Sequence, residues 1–225
     1  MTVAREASSA AAPRVVPDDD GGREAAVAVL RAGGIVALPT DTVYGIGCAL
    51  DTPGGIERLF AAKRRPPDRA VMLLLADPAQ AREIGMIGEA AALLAETIWP
   101  GGLTLVVPRR PDVSLPAALT GGAPTIGLRV PDHPAPRALA RGVGPLPTTS
   151  ANLSGEPEAR DAGGIVAQLG SSIDLVLDGG TAGGGPASTV IDCTTDRPRV
   201  LRAGAIPVDR VAAILAGAGI AHEIA

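Results

Sequence analysis

Hydrophobic positions along the chain change period often, and each change marks an element. From Arg23 the run REAAVAVLRAGG places Ala26, Val29 and Leu30 at helical spacing and stops at Gly33 and Gly34, which predicts a helix with a glycine C-terminal stop. The next residues, IVALP, form a short continuous apolar run, the pattern of a buried strand. The same reading predicts helices over 54–64, 78–85, 88–98, 134–141, 161–169 and 207–216. It predicts strands over 71–76, 103–107, 125–130, 146–150, 174–177, 188–192 and 199–202. Strands and helices in mixed order, with several strands adjacent late in the chain, imply an α/β fold on a mixed parallel and antiparallel sheet.

No linker-like stretch interrupts residues 22–217, which predicts one continuous domain. Residues 1–21, rich in Ala, Ser and Pro and ending near three aspartates, are expected to be a mobile arm, and 218–225 a C-terminal tail. The glycine run 179–185 lies between two predicted strands and is expected to be a mobile loop.

Composition narrows the function. Gly 29 and Pro 21 in 225 residues, with 46% apolar and 20% charged residues, keep the chain globular but rich in tight turns. Three scattered aromatics (Tyr44, Phe60, Trp99) and a net charge of −4 argue against a dedicated nucleic-acid module, since such modules stack bases on aromatic platforms. Cys48, Cys193, His133 and His222 are far apart and match no zinc spacing. No run is long and apolar enough to span a membrane and no secretory leader is visible, so a cytoplasmic location without membrane attachment is expected. Of the 20 cationic side chains only Lys63 is a lysine, which suggests a position that needs a compact point charge.

The common nucleotide signatures fail. The only lysine follows Ala61 and Ala62 rather than a phosphate-binding glycine loop, and Gly45-x-Gly47 is followed by Leu50 where the dinucleotide fingerprint needs a third glycine. No Gly-x-Ser-x-Gly is present. Three polar clusters at the ends of predicted strands remain. In Pro39-Thr40-Asp41-Thr42-Val43-Tyr44-Gly45, an extended backbone would put the Thr40 and Thr42 hydroxyls on one side; the alternative is a hydrogen-bonded turn. Lys63-Arg64-Arg65-Pro66-Pro67-Asp68-Arg69 reads as a phosphate clamp or as a charged helix end. Around Ser150-Ala151-Asn152, i,i+2 spacing would present a hydroxyl and an amide to one ligand, or form a turn. Arg129 and Arg202 close predicted strands, where ligands of open α/β sheets often sit.

These clusters, in this order, resemble the YrdC-like family, the threonylcarbamoyl-AMP synthases. The matching segments are GGIVALPTDTVYGIGCAL, KRRPPDRAVMLLL, WPGGLTLVV, TIGLRVPDH, TSANLSGEP, STVID and LRAG, covering about residues 22–206. The resemblance implies a twisted mixed sheet around one concave, positively charged cavity. It implies a nucleotidyltransferase that joins L-threonine, bicarbonate and ATP, with Mg²⁺ on the phosphates and no metal held by the protein itself, and releases pyrophosphate. A partner complex would then transfer the threonylcarbamoyl group to adenosine beside the tRNA anticodon, with room for a weak direct tRNA contact. Carried over, the catalytic elements fall on Lys63, Arg65, Ser150 and Asn152. Threonine contacts fall on Thr42, Arg129, Ser150 and Ser188, and ATP contacts on Arg65, Arg69, Thr125, Asn152, Arg160 and Arg202. Leu74 replaces a histidine of some longer members, and Ala203 stands where proline is frequent, which would loosen that turn. The chain resembles the short, single-domain form.

Two other readings stay open on the sequence alone: an RNA-binding module with the same cavity, and a paralogue acting on another carbamoyl-type substrate. The pairing of Lys63-x-Arg65 with Ser150-x-Asn152 favours the synthase.

Overall fold

The computed structural model describes residues 12–64, 70–183 and 185–224. In chain order these form β1 (Arg14–Pro17), α1 (Asp20–Arg31), β2 (Val36–Leu38), β3 (Gly45–Gly47), α2 (Gly55–Lys63), β4 (Met72–Leu74), α3 (Pro78–Ile84) and α4 (Glu89–Ile98). They continue with β5 (Leu103–Pro108), α5 (Ala117–Thr120), β6 (Thr125–Arg129), α6 (Pro134–Val143), β7 (Leu146–Ser150), α7 (Ala162–Leu169), a 3₁₀ turn (Gly170–Ser172), β8 (Leu175–Asp178), β9 (Thr189–Asp192), β10 (Arg199–Arg202) and α8 (Val208–Gly217). Local chemistry sets the helix ends. The Asp19 carboxylate caps α1 by accepting from Gly22 N at 2.8 Å, and Gly33, at φ +83°, takes the left-handed conformation just past its end.

The strands make one sheet in the order β1-β8-β2-β3-β7-β4-β6-β5-β9-β10. Parallel pairs (β1/β8, β2/β8, β4/β6, β5/β9) occur together with antiparallel ones, so the expected mixed sheet is present.

Register sorts residues onto the two faces. Across neighbouring strands Val36 pairs Gly47, Gly47 pairs Thr148, Thr148 pairs Met72, and Leu74 pairs Arg129. On β5 and β6, Val106 pairs Gly127 and Thr104 pairs Val190. All of these lie on one face. Where that face is apolar, at Val36, Leu38, Leu74, Leu146, Leu175 and Leu177, helices α1 and α6 cover it with Ala26, Leu30, Leu139 and Ala140. Each buried leucine contributes roughly 1.5–3 kcal/mol. The opposite face, including Ile46, Leu73, Leu105, Leu128 and Ile191, packs under Leu59, Leu94, Ile165 and Leu215 of α2, α4, α7 and α8. On the first face beyond α6, the strands carry Thr104, Thr125, Arg129, Thr148 and Ser150 in place of leucines, and a cavity opens there.

Two expectations need correction, and one open alternative is decided. Residues 14–21 are not an arm: β1 pairs with β8, and α1 begins at Asp20. The segment after α8 returns to the sheet, where Glu223 N donates to Pro198 O at 2.9 Å and Ile224 is buried. Of the two readings open for 40–43, the structure takes the hydrogen-bonded turn, with the Thr40 hydroxyl closing the bend onto Val43 O at 2.6 Å.

Candidate functional site

The cavity on the uncovered half of the face has a volume of about 290 Å³. Because side chains alternate across a strand, its floor is made of i,i+2 sets: Thr125, Gly127 and Arg129 from β6, Thr104 and Val106 from β5, and Thr148 and Ser150 from β7. Met72, Val190 and Arg202 add β4, β9 and β10, and Thr42, Glu158 and Ser188 come from loops. A register shift between Val200 and Arg202 puts a bulge before Arg202 and re-aims its side chain into the cavity.

Arg129 is 2% exposed and held on three sides. Nε donates to Gly101 O (3.0 Å), Nη1 to the Thr42 hydroxyl (3.0 Å) and Nη2 to the Asp41 carboxylate (2.7 Å). Of its five N–H groups, one on Nη1 and one on Nη2 have no partner among the described residues. Burial holds its pKa below the usual arginine value, against the pull of Asp41, and the nearby positive charge of Arg202 pushes the same way as burial. Arg202 spends Nε and Nη2 on Ser188, reaching its carbonyl at 3.1 and 2.8 Å and its hydroxyl at 3.0 Å. Both N–H groups of its Nη1 remain without a described partner. Two guanidiniums with spare donors near one cavity make an anion site.

The hydroxyl protons can be traced. Thr40 gives its proton to Val43 O, so in the 3.1 Å contact between the two hydroxyls Thr42 is the donor and Thr40 the acceptor. Ser150 gives its proton to Asn152 Oδ1 at 2.6 Å. Thr42 and Ser150 therefore offer lone pairs to the cavity, not protons, and suit a ligand ammonium or amine. Ser188 and Thr104 share a hydrogen bond of 2.8 Å on the cavity floor.

Lys63 ends α2, is 3% exposed, and turns inward. Its Nζ donates to Ser150 O, to Asn152 O at 2.6 Å and to Asn152 Oδ1 at 3.0 Å, with the Ser150 hydroxyl at 3.3 Å. Asn152 is saturated as well, because its amide also donates to Leu153 O (3.0 Å) and Glu156 O (2.7 Å). Lys63 and Asn152 thus brace the end of β7 so that Ser150 faces the cavity. A compact ammonium fits between these oxygens where a planar fork would not.

The structure brings Thr42, Thr125, Arg129, Ser150, Ser188 and Arg202 together around one cavity. Lys63 and Asn152 stand directly behind it. Arg160 is exposed and does not line it, its carbonyl accepting from Ala182 N at 2.7 Å. Arg65 and Arg69 lie outside the described residues, so the cations shown at the cavity are Arg129 and Arg202, opposed by Glu158. Leu74, 1% exposed, borders a recess of about 30 Å³ beside Arg129 and Thr42. The turn after Arg202 is tethered despite Ala203: Ala205 N donates to Ala187 O at 2.9 Å, and a Cβ on Gly204 would meet that carbonyl at 2.1 Å. Sequence reasoning missed Thr104, Thr148 and the Asp41 contact with Arg129. Thr104 carried a signal, as the one polar residue in the run LTLVV. Burial pushes the thiols of Cys48 and Cys193 up to about 12, so neither is a thiolate nucleophile near neutral pH.

Residues 28–204 match a family model named Sua5_yciO_yrdC and described as "Telomere recombination". A Bacillus subtilis protein named threonylcarbamoyl-AMP synthase is 38% identical over 192 residues, 84% of this chain and 55% of that protein. The chain thus spans about half the length of that relative. A Vibrio cholerae protein of the same name is 37% identical over 184 residues, 80% of this chain and 95% of its own length. Among solved structures, Pyrococcus abyssi Sua5 complexed with L-threonine superposes with a TM-score of 0.84 at 32% identity, covering 94% of this chain and 62% of the Pyrococcus chain.

Proposed function

The chain belongs to the Sua5/YciO/YrdC family, and on that premise we propose that its cavity joins L-threonine, bicarbonate and ATP into threonylcarbamoyl-adenylate. The observation that carries this reading is the split chemistry of one cavity: spare guanidinium donors on Arg129 and Arg202, and spare lone pairs on Thr42 and Ser150. An amino acid zwitterion needs both. The carboxylate sits against Arg129, and the amine lies near the two hydroxyl oxygens.

In the reaction the amine nitrogen bonds to the bicarbonate carbon and water leaves, giving a carbamate. A carbamate oxygen then attacks the α-phosphorus, and the bond to the β,γ-diphosphate breaks to release pyrophosphate. The protein positions the reactants and neutralises charge, which suits a site without a Cys or His nucleophile. Thr125 and Arg202, two of the cavity residues, are the ones the family resemblance gives to ATP, and it adds Arg65, Arg69 and Arg160 as further cations for the triphosphate. Lys63 and Asn152 act through Ser150. Among the described residues Glu158 is the one carboxylate lining the cavity, and no group of three or more His, Cys, Asp and Glu is gathered there. This donor set fits Mg²⁺ carried mainly by phosphate oxygens and water, where it would offset charge on the triphosphate. The adenylate would pass to a tRNA-modifying transferase complex. No helix among the described residues is long and apolar enough to cross a membrane.

The test is an incubation with ATP, L-threonine and bicarbonate, scored for pyrophosphate with each component omitted in turn. Release that requires all three is expected. Release without threonine would overturn the reading.

A further inference from the structure

Asp41 is not on the cavity wall, yet it makes the shortest contact to the guanidinium that is. Its carboxylate is 2.7 Å from Arg129 Nη2, with the two side chains 15% and 3% exposed. A guanidinium is planar, so three fixed bonds define its plane and its rotation within that plane. Gly101 O takes Nε, Thr42 takes Nη1 and Asp41 takes Nη2. Of these partners, Asp41 alone is charged. Its negative charge at Arg129 also offsets the nearby positive charge of Arg202.

We propose that Asp41 is the positioning residue for the amino-acid carboxylate: it fixes which two N–H groups of Arg129 are left for the ligand and keeps them side by side. This rests on the functional reading above. It assigns to Asp41 no contact with substrate, and its effect runs through Arg129. The same bend carries both halves of the arrangement, since the Thr40 hydroxyl accepts from Thr42 N at 3.1 Å while Thr42 accepts from Arg129. Asp41 and Thr42 therefore reach the arginine from adjacent positions on one closed turn. The geometry makes a selective claim, because Arg129 serves the amino acid and Arg202 stands apart on its own Ser188 tether. Loss of Asp41 should weaken threonine binding and leave ATP binding nearly unchanged.

Calorimetric titration of the full chain with L-threonine, and separately with ATP, tests this on Asp41→Ala and Asp41→Asn. We expect threonine to bind about tenfold more weakly to Asp41→Ala and about threefold more weakly to Asp41→Asn, whose amide oxygen still accepts from Nη2. ATP affinity should stay within twofold in both. Threonine affinity within twofold of the parent in both variants, or equal losses for threonine and ATP, overturns the proposal. If Asp41→Ala does not fold, Asp41→Asn decides: a loss selective for threonine supports the role, and unchanged affinity overturns it. A parent chain that binds no threonine at all instead removes the functional reading, and the two failures are told apart by the parent titration.

Discussion

One sheet face does two different jobs along its width. Over β8 and β2 it carries leucines and valine, and α1 and α6 close over it; over the end of β7 and over β6 and β5, at equivalent pleat positions, it carries Thr148, Thr125, Arg129 and Thr104 and stays open. The backbone pattern is the same in both halves. What differs is the side-chain set at every second residue, and that alone decides whether a helix can dock. Covering the polar half with a helix would strand hydroxyls and guanidiniums without water, so the open half persists only because its polar groups are satisfied by one another or await a ligand. The closed half supplies rigidity and the open half supplies chemistry.

Substitutions can break this contrast in either direction. The largest effect is expected at the joint between the halves, where Lys63 braces β7. Lys63→Met leaves several buried oxygens without a donor, each costing about 1–3 kcal/mol, and should destabilise the protein by about 4 kcal/mol while abolishing turnover. Urea unfolding and pyrophosphate release read the two losses. Lys63→Arg should also lower turnover, at least about tenfold, because the fork does not fit among Ser150 O, Asn152 O and Asn152 Oδ1.

Leu139→Ala, in the closed half, should cost about 3 kcal/mol by leaving a cavity under α6. Threonine affinity of the folded protein should not change, which calorimetry can check. A parallel loss of affinity would mean that the halves are not separable.

The smallest effect concerns pH. His133 caps α6 by accepting from Ala135 N through Nδ1 at 3.2 Å, which only the neutral ring can do, and burial pushes its pKa below the usual value. The folded state therefore binds its proton less readily than the unfolded chain. This stabilisation is fully present above about pH 6.5 and is lost as pH falls through the lowered folded value. His133→Asn, which keeps a capping oxygen, should flatten the fall in melting temperature over that window.

Most of the scaffold was legible because its signals are local. Helix α1 announces itself by spacing and by the glycine stop, and α2 through α4 follow the apolar period. The third strand was not legible: Gly45-Ile46-Gly47 has no side-chain pattern to read, and glycine is needed there because a Cβ on Gly45 would meet Thr148 Cγ2 at 2.7 Å. Strand β1 was hidden for a different reason, since an exposed edge strand pairing across the whole chain leaves no local trace in an Ala- and Pro-rich stretch. At the site, the spacing put Ser150 and Asn152 next to each other, but the expectation that both face one ligand needs correction: Ser150 lines the cavity while the Asn152 amide is spent on Leu153 O and Glu156 O. The spacing could not reveal that Asn152 spends its whole amide on Lys63, Ser150, Leu153 and Glu156, because that depends on how the loop after β7 turns its carbonyls back and on Lys63, 89 positions away. Asp41 was visible as a residue and invisible as a partner of Arg129, 88 positions away.

The central claim is that the open half of the face is where the amino acid binds. A crystal structure of the chain with L-threonine tests it most directly. The account predicts the ligand in the cavity, its carboxylate on the free N–H groups of Arg129 and its amine within hydrogen-bond distance of Thr42 or Ser150. Threonine bound elsewhere, such as the groove between α1 and α6 lined by Arg31 and Arg141, or bound in the cavity with its carboxylate turned away from Arg129, would contradict it.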